Sequence, residues 1–96
     1  MELNEALGLA IKNLRISKDM PQEGLGPSQS YISAIERGKW KPSIEKVEQI
    51  AEILGIHPLT LLFVAYQTQT PGLKQEDLLK KIQREITSLK GCLRLE

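Results

Sequence analysis

Apolar residues near the start of the chain fall at Leu3, Leu7, Ala10, Ile11 and Leu14. Steps of three and four place them on one face of a helix, so a helix is predicted over about Asn4–Lys18. Asn4 is a suitable cap, and Lys18 puts a cation where the helix dipole favours one. Asp19-Met20-Pro21 breaks the pattern, because a residue before proline is pushed out of helical geometry. Gln22–Gly26 contains Gly24 and Gly26, each costing about 1 kcal/mol in a helix. One weak turn is expected there, ended by Pro27.

Ser28 then caps a helix over about Gln29–Arg37. Ile32 and Ile35 share one face of it, Gln29, Ser30 and Ser33 lie elsewhere, and Gly38 is a natural stop. After the loop Lys39-Trp40-Lys41-Pro42, Ser43 caps a further helix with the apolar stripe Ile44, Val47, Ile50, Ala51 and Leu54. Lys46 occupies its third position, so no capping box forms, and Gly55 ends it. His57-Pro58 opens another helix, carrying Leu61, Leu62, Val64 and Ala65 and running to about Tyr66. Residues 67–72 hold only Gln, Thr, Pro and Gly and read as a linker. A terminal helix is predicted over about Leu73–Lys90. Helical periods without a credible strand make the chain all-α.

The terminal segment has its own pattern. Leu79, Ile82, Ile86, Leu89 and Leu93 recur at alternating steps of three and four, the seam of a short coiled coil. Leu78 widens the stripe, and Lys80, Lys81, Arg84 and Glu85 suit its rim. Two heptads are short for stable pairing, and isolated short helices are marginal in water. The self-complementary strip favours a twofold dimer interface; the alternative is folding back onto Leu59, Leu62 or Phe63. Three segments follow: 1–66, the linker 67–72, and a dimerisation helix with its tail, 73–96.

Composition changes this picture little. The chain has 96 residues and a formal net charge of +1. Residues 1–66 carry seven Lys/Arg against eight Asp/Glu, and residues 67–96 six against four. Bulk basicity therefore gives no sign of nucleic acid, and only local charge can. Cys92 is the sole cysteine; it excludes an intrachain disulfide framework and a cysteine-rich metal site and suits a reducing cytoplasm. An interchain disulfide at Cys92 is less expected than a buried thiol or a loose tail. No signal-peptide pattern opens the chain, no apolar run approaches a membrane span, and Leu95-Glu96 has the look of a cloning scar. No Ser/His/Asp set, paired-carboxylate site or phosphate loop appears. Gly24-Leu25-Gly26 lacks the strand and third glycine of a nucleotide fingerprint. The single histidine, His57, reads as a capping or surface residue. Neither an enzyme nor a cofactor is expected.

Residues 7–66 resemble the phage-repressor and Cro type of helix-turn-helix domain, the XRE family. The resemblance rests on Leu14-Arg15, Gln22, Leu25, the run Ser28-Gln29-Ser30-Tyr31-Ile32-Ser33-Ala34-Ile35-Glu36-Arg37-Gly38-Lys39, Pro42, Ile50-Ala51, Leu54-Gly55 and Leu61-Leu62. It implies a five-helix DNA-binding domain whose recognition helix enters the major groove with its N-terminal residues at base edges. Gln29, Ser30, Ser33 and Ala34 are then the base contacts. Gln can pair bidentately with adenine, which is worth about 1–3 kcal/mol of discrimination. Gln22, Tyr31, Arg37, Lys39 and Lys41 are the contacts to the DNA backbone, with Tyr31 also placed for a thymine methyl. Arg15 and Glu36 form a structural ion pair. Trp40 is expected to pack at the core edge rather than offer its indole to a phosphate.

The implied partner is double-stranded DNA, read by a homodimer or higher oligomer, and such regulators can also meet a protein antagonist. Repression is the default action, with activation as the alternative. An antitoxin-like or partner-binding module with a vestigial DNA head is the other reading. The chain departs from the family between Leu25 and Ser28, where only Gly26 and Pro27 intervene and about one helical turn is missing. A short or irregular second helix, a changed tilt of the recognition helix and a displaced Gln22 are expected from this.

Overall fold

The computed structural model describes residues 1–26 and 28–93, with side chains as far as Gly91. Its order is α1 (Leu3–Ser17), one 3-10 turn (Gln22–Gly24), α2 (Gln29–Glu36), α3 (Ile44–Leu54), α4 (Pro58–Gln69) and α5 (Gln75–Leu93). The expected all-α class holds, and no strand occurs among the described residues. Pro27, read as the end of the weak turn, the side chains of Cys92 and Leu93, and the tail 94–96 lie outside the described residues.

Caps explain most of the boundaries. Ser28 Oγ accepts from Tyr31 N at 3.1 Å and Ser43 Oγ from Lys46 N at 3.2 Å, each satisfying an amide that the first helical turn leaves unpaired. His57 caps α4, its Nδ1 accepting from Leu59 N at 3.0 Å. Asn4 is not the cap of α1. The helix begins one residue earlier, and the Glu5 carboxylate accepts from Glu2 N at 3.2 Å. Asn4 Nδ2 instead donates to the Gly38 carbonyl at 2.6 Å, a tie between α1 and the end of α2.

Three helices end in one motif. Lys39 N donates to Ala34 O and Gly38 N to Ile35 O; Ile56 N donates to Ala51 O and Gly55 N to Glu52 O; Met20 N donates to Arg15 O and Asp19 N to Ile16 O. This is the Schellman pattern, with a left-handed residue just past the helix. Glycine fills that place at Gly38 (φ 74°) and Gly55 (φ 76°), but Asp19 fills it after α1 at φ 55°.

The core is aliphatic. Ile11, Leu25, Ile32, Ile35, Ile50, Leu54 and Leu61 are its large fully buried side chains, each worth about 1.5–3 kcal/mol on transfer from water. α1 lies against α4 and α2, and α3 lies against α4; the chain bends by 101° between α3 and α4. Gly8 sits where α1 meets α2, and a Cβ there would run into the Ile35 and Glu36 backbone carbonyls. Ile44 departs from its expected place in the α3 stripe. It is 82% exposed, because the first residue of α3 overhangs an open groove beside Leu3 and Leu59 instead of reaching the core.

α4 runs to Gln69, three residues into the stretch read as a linker. Thr68 Oγ1 bonds back to Val64 O at 2.7 Å, and Gln69 Nε2 donates to Met1 O at 3.4 Å. These polar residues stay helical because their side chains find backbone partners. Pro71-Gly72 makes the actual turn, with Gly72 at φ 88°. The start of α5 approaches α4, and Leu78, Leu79 and Ile82 help line a groove against it. Beyond Ile82 the helix leaves the domain. Leu79, Ile86 and Leu89 are exposed, and Ile82 somewhat less so.

Candidate nucleic-acid interface

α2 spans eight residues, about 12 Å. At about 100° per residue, Gln29, Ser33, Arg37, Ser30 and Ala34 fall within one arc. Ile32, Ile35 and Glu36, buried, fill the inner arc, with Glu36 at its edge beside Gln29. Gln29 and Ser30 are exposed, while Ser33 and Ala34 are half-buried one turn later. The four residues expected to face bases therefore form two adjacent columns on the outer surface of one short helix.

A polar network fixes the inner face. Arg15 donates Nε to Glu36 Oε2 at 2.7 Å and Nη2 to Glu36 Oε1 at 3.1 Å, and its Nη1 donates to the Met20 carbonyl at 2.8 Å. The expected ion pair is present and bidentate, with the Glu36 side chain 2% exposed. The hydrogen bond to Glu36 raises the Arg15 pKa above its ordinary value, opposed by desolvation and helped by the nearby negative charges of Glu36 and Glu23.

Gln22 joins the network. Its Nε2 donates to Glu36 Oε1 at 3.0 Å, and its Oε1 accepts from Gln29 Nε2 at 3.4 Å. The residue expected to hold a phosphate thus spends one amide hydrogen on Glu36 and its oxygen on Gln29. The link also sets the Gln29 amide, turning its Nε2 towards Gln22.

The missing turn is visible. A single 3-10 turn replaces the second helix; none of its residues is buried, and the buried side chain is that of Leu25, which follows it. A Cβ on Gly26 would sit 2.8 Å from Ile32 Cδ1, so the chain at Gly26 passes tightly over α2.

Arg37, Lys39 and Lys41 are all exposed on the segment leaving α2. Arg37 Nε donates to Ser33 O at 3.2 Å, which lays the guanidinium along the helix. Trp40, expected to pack at the core edge, is 56% exposed. Its ring meets Tyr31 edge-on, with centroids 5.4 Å apart and planes at 72°. Lys46 Nζ stands 6.0 Å from the Tyr31 ring centroid, within cation–π range. Tyr31 is half-buried and packs on the core. The Schellman turn at Gly38 reverses the chain and brings Trp40 back beside the third residue of α2.

The sequence missed the Gln22–Glu36 and Gln22–Gln29 bonds, the Asn4–Gly38 tie and the Trp40–Tyr31 contact. Gly8 carried the one readable clue. A glycine inside a strongly periodic helix marks a close approach by another segment.

Residues 11–61 match the family model described as Helix-turn-helix. Over 60 residues the chain is 38% identical to the control protein C.BamHI of Bacillus amyloliquefaciens, covering 57% of this chain and 74% of that protein. It is 31% identical over 65 residues to a hypothetical transcription factor of Neisseria meningitidis serogroup B, covering 64% of this chain and 61% of that protein, less than two thirds of its length. Among solved structures, the clp gene regulator ClgR of Corynebacterium glutamicum aligns at TM-score 0.69 and 28% identity over 74% of this chain and 97% of that one. Another ClgR structure aligns at TM-score 0.67 and 24% identity over 99% of this chain and 98% of that one, a shared fold that includes the region of α5.

Proposed function

This chain belongs to the helix-turn-helix family of transcriptional regulators, and we propose that it is a bacterial cytoplasmic repressor that binds an inverted-repeat operator as a homodimer. The observation that carries the reading is the split surface of α2. Gln29, Ser30, Ser33 and Ala34 share the outer arc, while Ile32, Ile35 and Glu36 lock the inner arc to the scaffold. A helix so held can present side chains to a major groove without rearranging.

Gln29 is assigned to an adenine edge, where its carbonyl accepts from N6 and its remaining amide hydrogen reaches N7. Ser30 and Ser33 serve several base edges, and Ala34 suits a thymine methyl. Arg37, Lys39 and Lys41 hold phosphates, each steepening the salt dependence by about 0.9 in log K against log salt. Tyr31 and Gln22 stand at the edge of this contact, and their first task is to support α2. Action is by binding and occlusion, with no catalytic step. α5, through Leu79, Ile82, Ile86 and Leu89, pairs two chains so that two recognition helices lie about 34 Å apart or a multiple of that.

Selection from random duplexes, followed by titration at several salt concentrations, tests this. An enriched palindrome is expected. Gln29→Ala should relax discrimination at one position, and Lys39→Ala should weaken all duplexes alike. Equal affinity for every duplex would end the reading. It would favour instead a partner-binding module of the antitoxin kind, or one governed by a protein antagonist, which the lost turn before Ser28 also suits.

A further inference from the structure

The surface offered to DNA does not stop at the outer arc of α2. We infer that Trp40 is a DNA contact, its indole face laid against a deoxyribose and its N–H given to the adjoining phosphate, with Tyr31 as the residue that positions it. The inference rests on the DNA-binding reading and adds to it a contact that carries no charge.

Placement is the first ground. At about 100° per residue, Tyr31 lies about 60° beyond Ala34 on α2, on the flank of the outer arc away from Gln22. Trp40 stands against Tyr31 with ring centroids 5.4 Å apart, so the indole borders that arc and not the scaffold. More than half of it is open to water.

The indole is also held in place. Gly38 turns the chain at φ 74°, and Lys39 N is tied to Ala34 O at 2.9 Å. Pro42 keeps Lys41 before it extended, which stiffens the exit from the loop. The edge-on contact to Tyr31, at 72°, is a preferred aromatic geometry, and Tyr31 itself packs on the core. An aromatic ring fixed in this way loses little freedom when it is covered.

Charge selects the occupant. From Arg37 to Lys46 four cations, Arg37, Lys39, Lys41 and Lys46, stand against one carboxylate, Glu45. Lys39 and Lys41 are the chain neighbours of Trp40, and Lys46 Nζ lies 6.0 Å from the Tyr31 ring centroid. An apolar protein partner would strip water from these cations without pairing them, which is costly. A nucleic-acid backbone pairs them with phosphates and offers a sugar to the ring between. The indole N–H donates only, which suits a phosphate oxygen.

The test uses the full chain with two duplexes of equal length, one carrying the selected palindrome and one unrelated. Trp40 is the only tryptophan, so its emission reports on itself. Saturation with either duplex should shield it from acrylamide, a neutral quencher. Trp40→Ala should weaken both duplexes by about tenfold, the scale for uncovering an aromatic face, and Trp40→Phe should fall between. Neither removes a cation, so the slope of log K against log salt should stay the same, whereas Trp40→Arg should steepen it by about 0.9. The site is exposed, so helical circular dichroism should persist in all three. Tyr31→Leu should weaken binding in the wild-type chain but not in a Trp40→Ala chain, because the two act as a unit. A Tyr31 role confined to stability would weaken both backgrounds alike and overturn the positioning role. Full acrylamide access in the saturated complex, or a Trp40→Ala chain that binds like the wild type, overturns the inference, leaves the outer arc standing and turns the patch to a protein partner. Failure of the operator reading is separate: it shows as equal affinity for every duplex, whatever Trp40 does. A chain that binds no duplex overturns both.

Discussion

Gln22 Nε2 donates to Glu36 Oε1 at 3.0 Å, from a residue fourteen positions earlier in the chain. The same carboxylate already takes both arms of Arg15. Glu36 is therefore the point where α1, the 3-10 turn and α2 are fastened together, and its partners invite separate tests.

Arg15→Ala leaves a buried carboxylate with one neutral donor. A loss of about 3–5 kcal/mol is expected, the scale for breaking a buried pair, read from urea denaturation. Arg15→Lys should recover little, because an ammonium cannot reproduce the two-armed contact or the bond to Met20 O. The Arg15 pKa is raised. Stabilisation by a raised cation is complete below its unfolded pKa and is lost only as pH rises through the folded value. The window lies above the ordinary arginine value, so the Arg15 contribution should stay constant across neutral pH. A loss of the wild-type margin over Arg15→Ala between pH 7 and 9, traced to Arg15, would contradict this.

Gln22→Ala removes a hydrogen bond to a charged group, worth about 1.5–3 kcal/mol, and frees the Gln29 amide. Stability should fall, and discrimination at the base read by Gln29 should weaken. The slope of log K against log salt should stay the same. A slope shallower by about 0.9 would instead give Gln22 a phosphate of its own.

Gly8→Ala and Gly26→Ala should differ sharply. At Gly8 the new methyl meets backbone, with Glu36 O at 2.9 Å and Ile35 O nearer still. Helices α1 and α2 must part, and a loss of about 1–3 kcal/mol is expected from overpacking. At Gly26 the obstacle is Ile32 Cδ1, the end of a side chain that can turn. Turning it costs about 0.5–1.5 kcal/mol, offset by about 0.4–1 kcal/mol from a less flexible unfolded chain. Thermal unfolding of both variants checks the contrast, and equal losses would refute it.

Asp19→Gly should stabilise. Asp19 holds the left-handed position that glycine holds at Gly38 and Gly55. Relief of that conformation, about 1–2 kcal/mol for an ordinary side chain and less for aspartate, exceeds the added unfolded-state entropy. A small rise in the urea midpoint with unchanged slope is the expected reading. A fall would mean that the Asp19 side chain contributes more than its backbone costs.

Helix existence was legible because periodicity, serine caps and glycine stops agreed at each boundary. The Ser28 and Ser43 caps and the Gly38 and Gly55 stops lie where the pattern put them. The errors arose where a side chain had two possible partners. Asn4 suits a cap by type, but the Gly38 carbonyl lies within its reach, and only the fold brings that carbonyl there. Ile44 fits the α3 stripe by spacing, but the stripe outruns the core at its first residue. The Arg15–Glu36 pair was readable through family resemblance. The place of Gln22 beside it was not, since an amide can serve phosphate, carboxylate or amide equally well.

The shortened passage from Leu25 to Ser28 bears on how specificity could be moved between proteins. Here α2 takes its pose from Gly26 lying across Ile32 and from Gln22 reaching both Glu36 and Gln29. Grafting the outer-arc residues of a longer-turn relative onto α2 would carry over the letters but not the lever that aims them. On the proposed reading, transplanting operator preference into or out of this protein would require exchanging residues 22–37 as a single cassette.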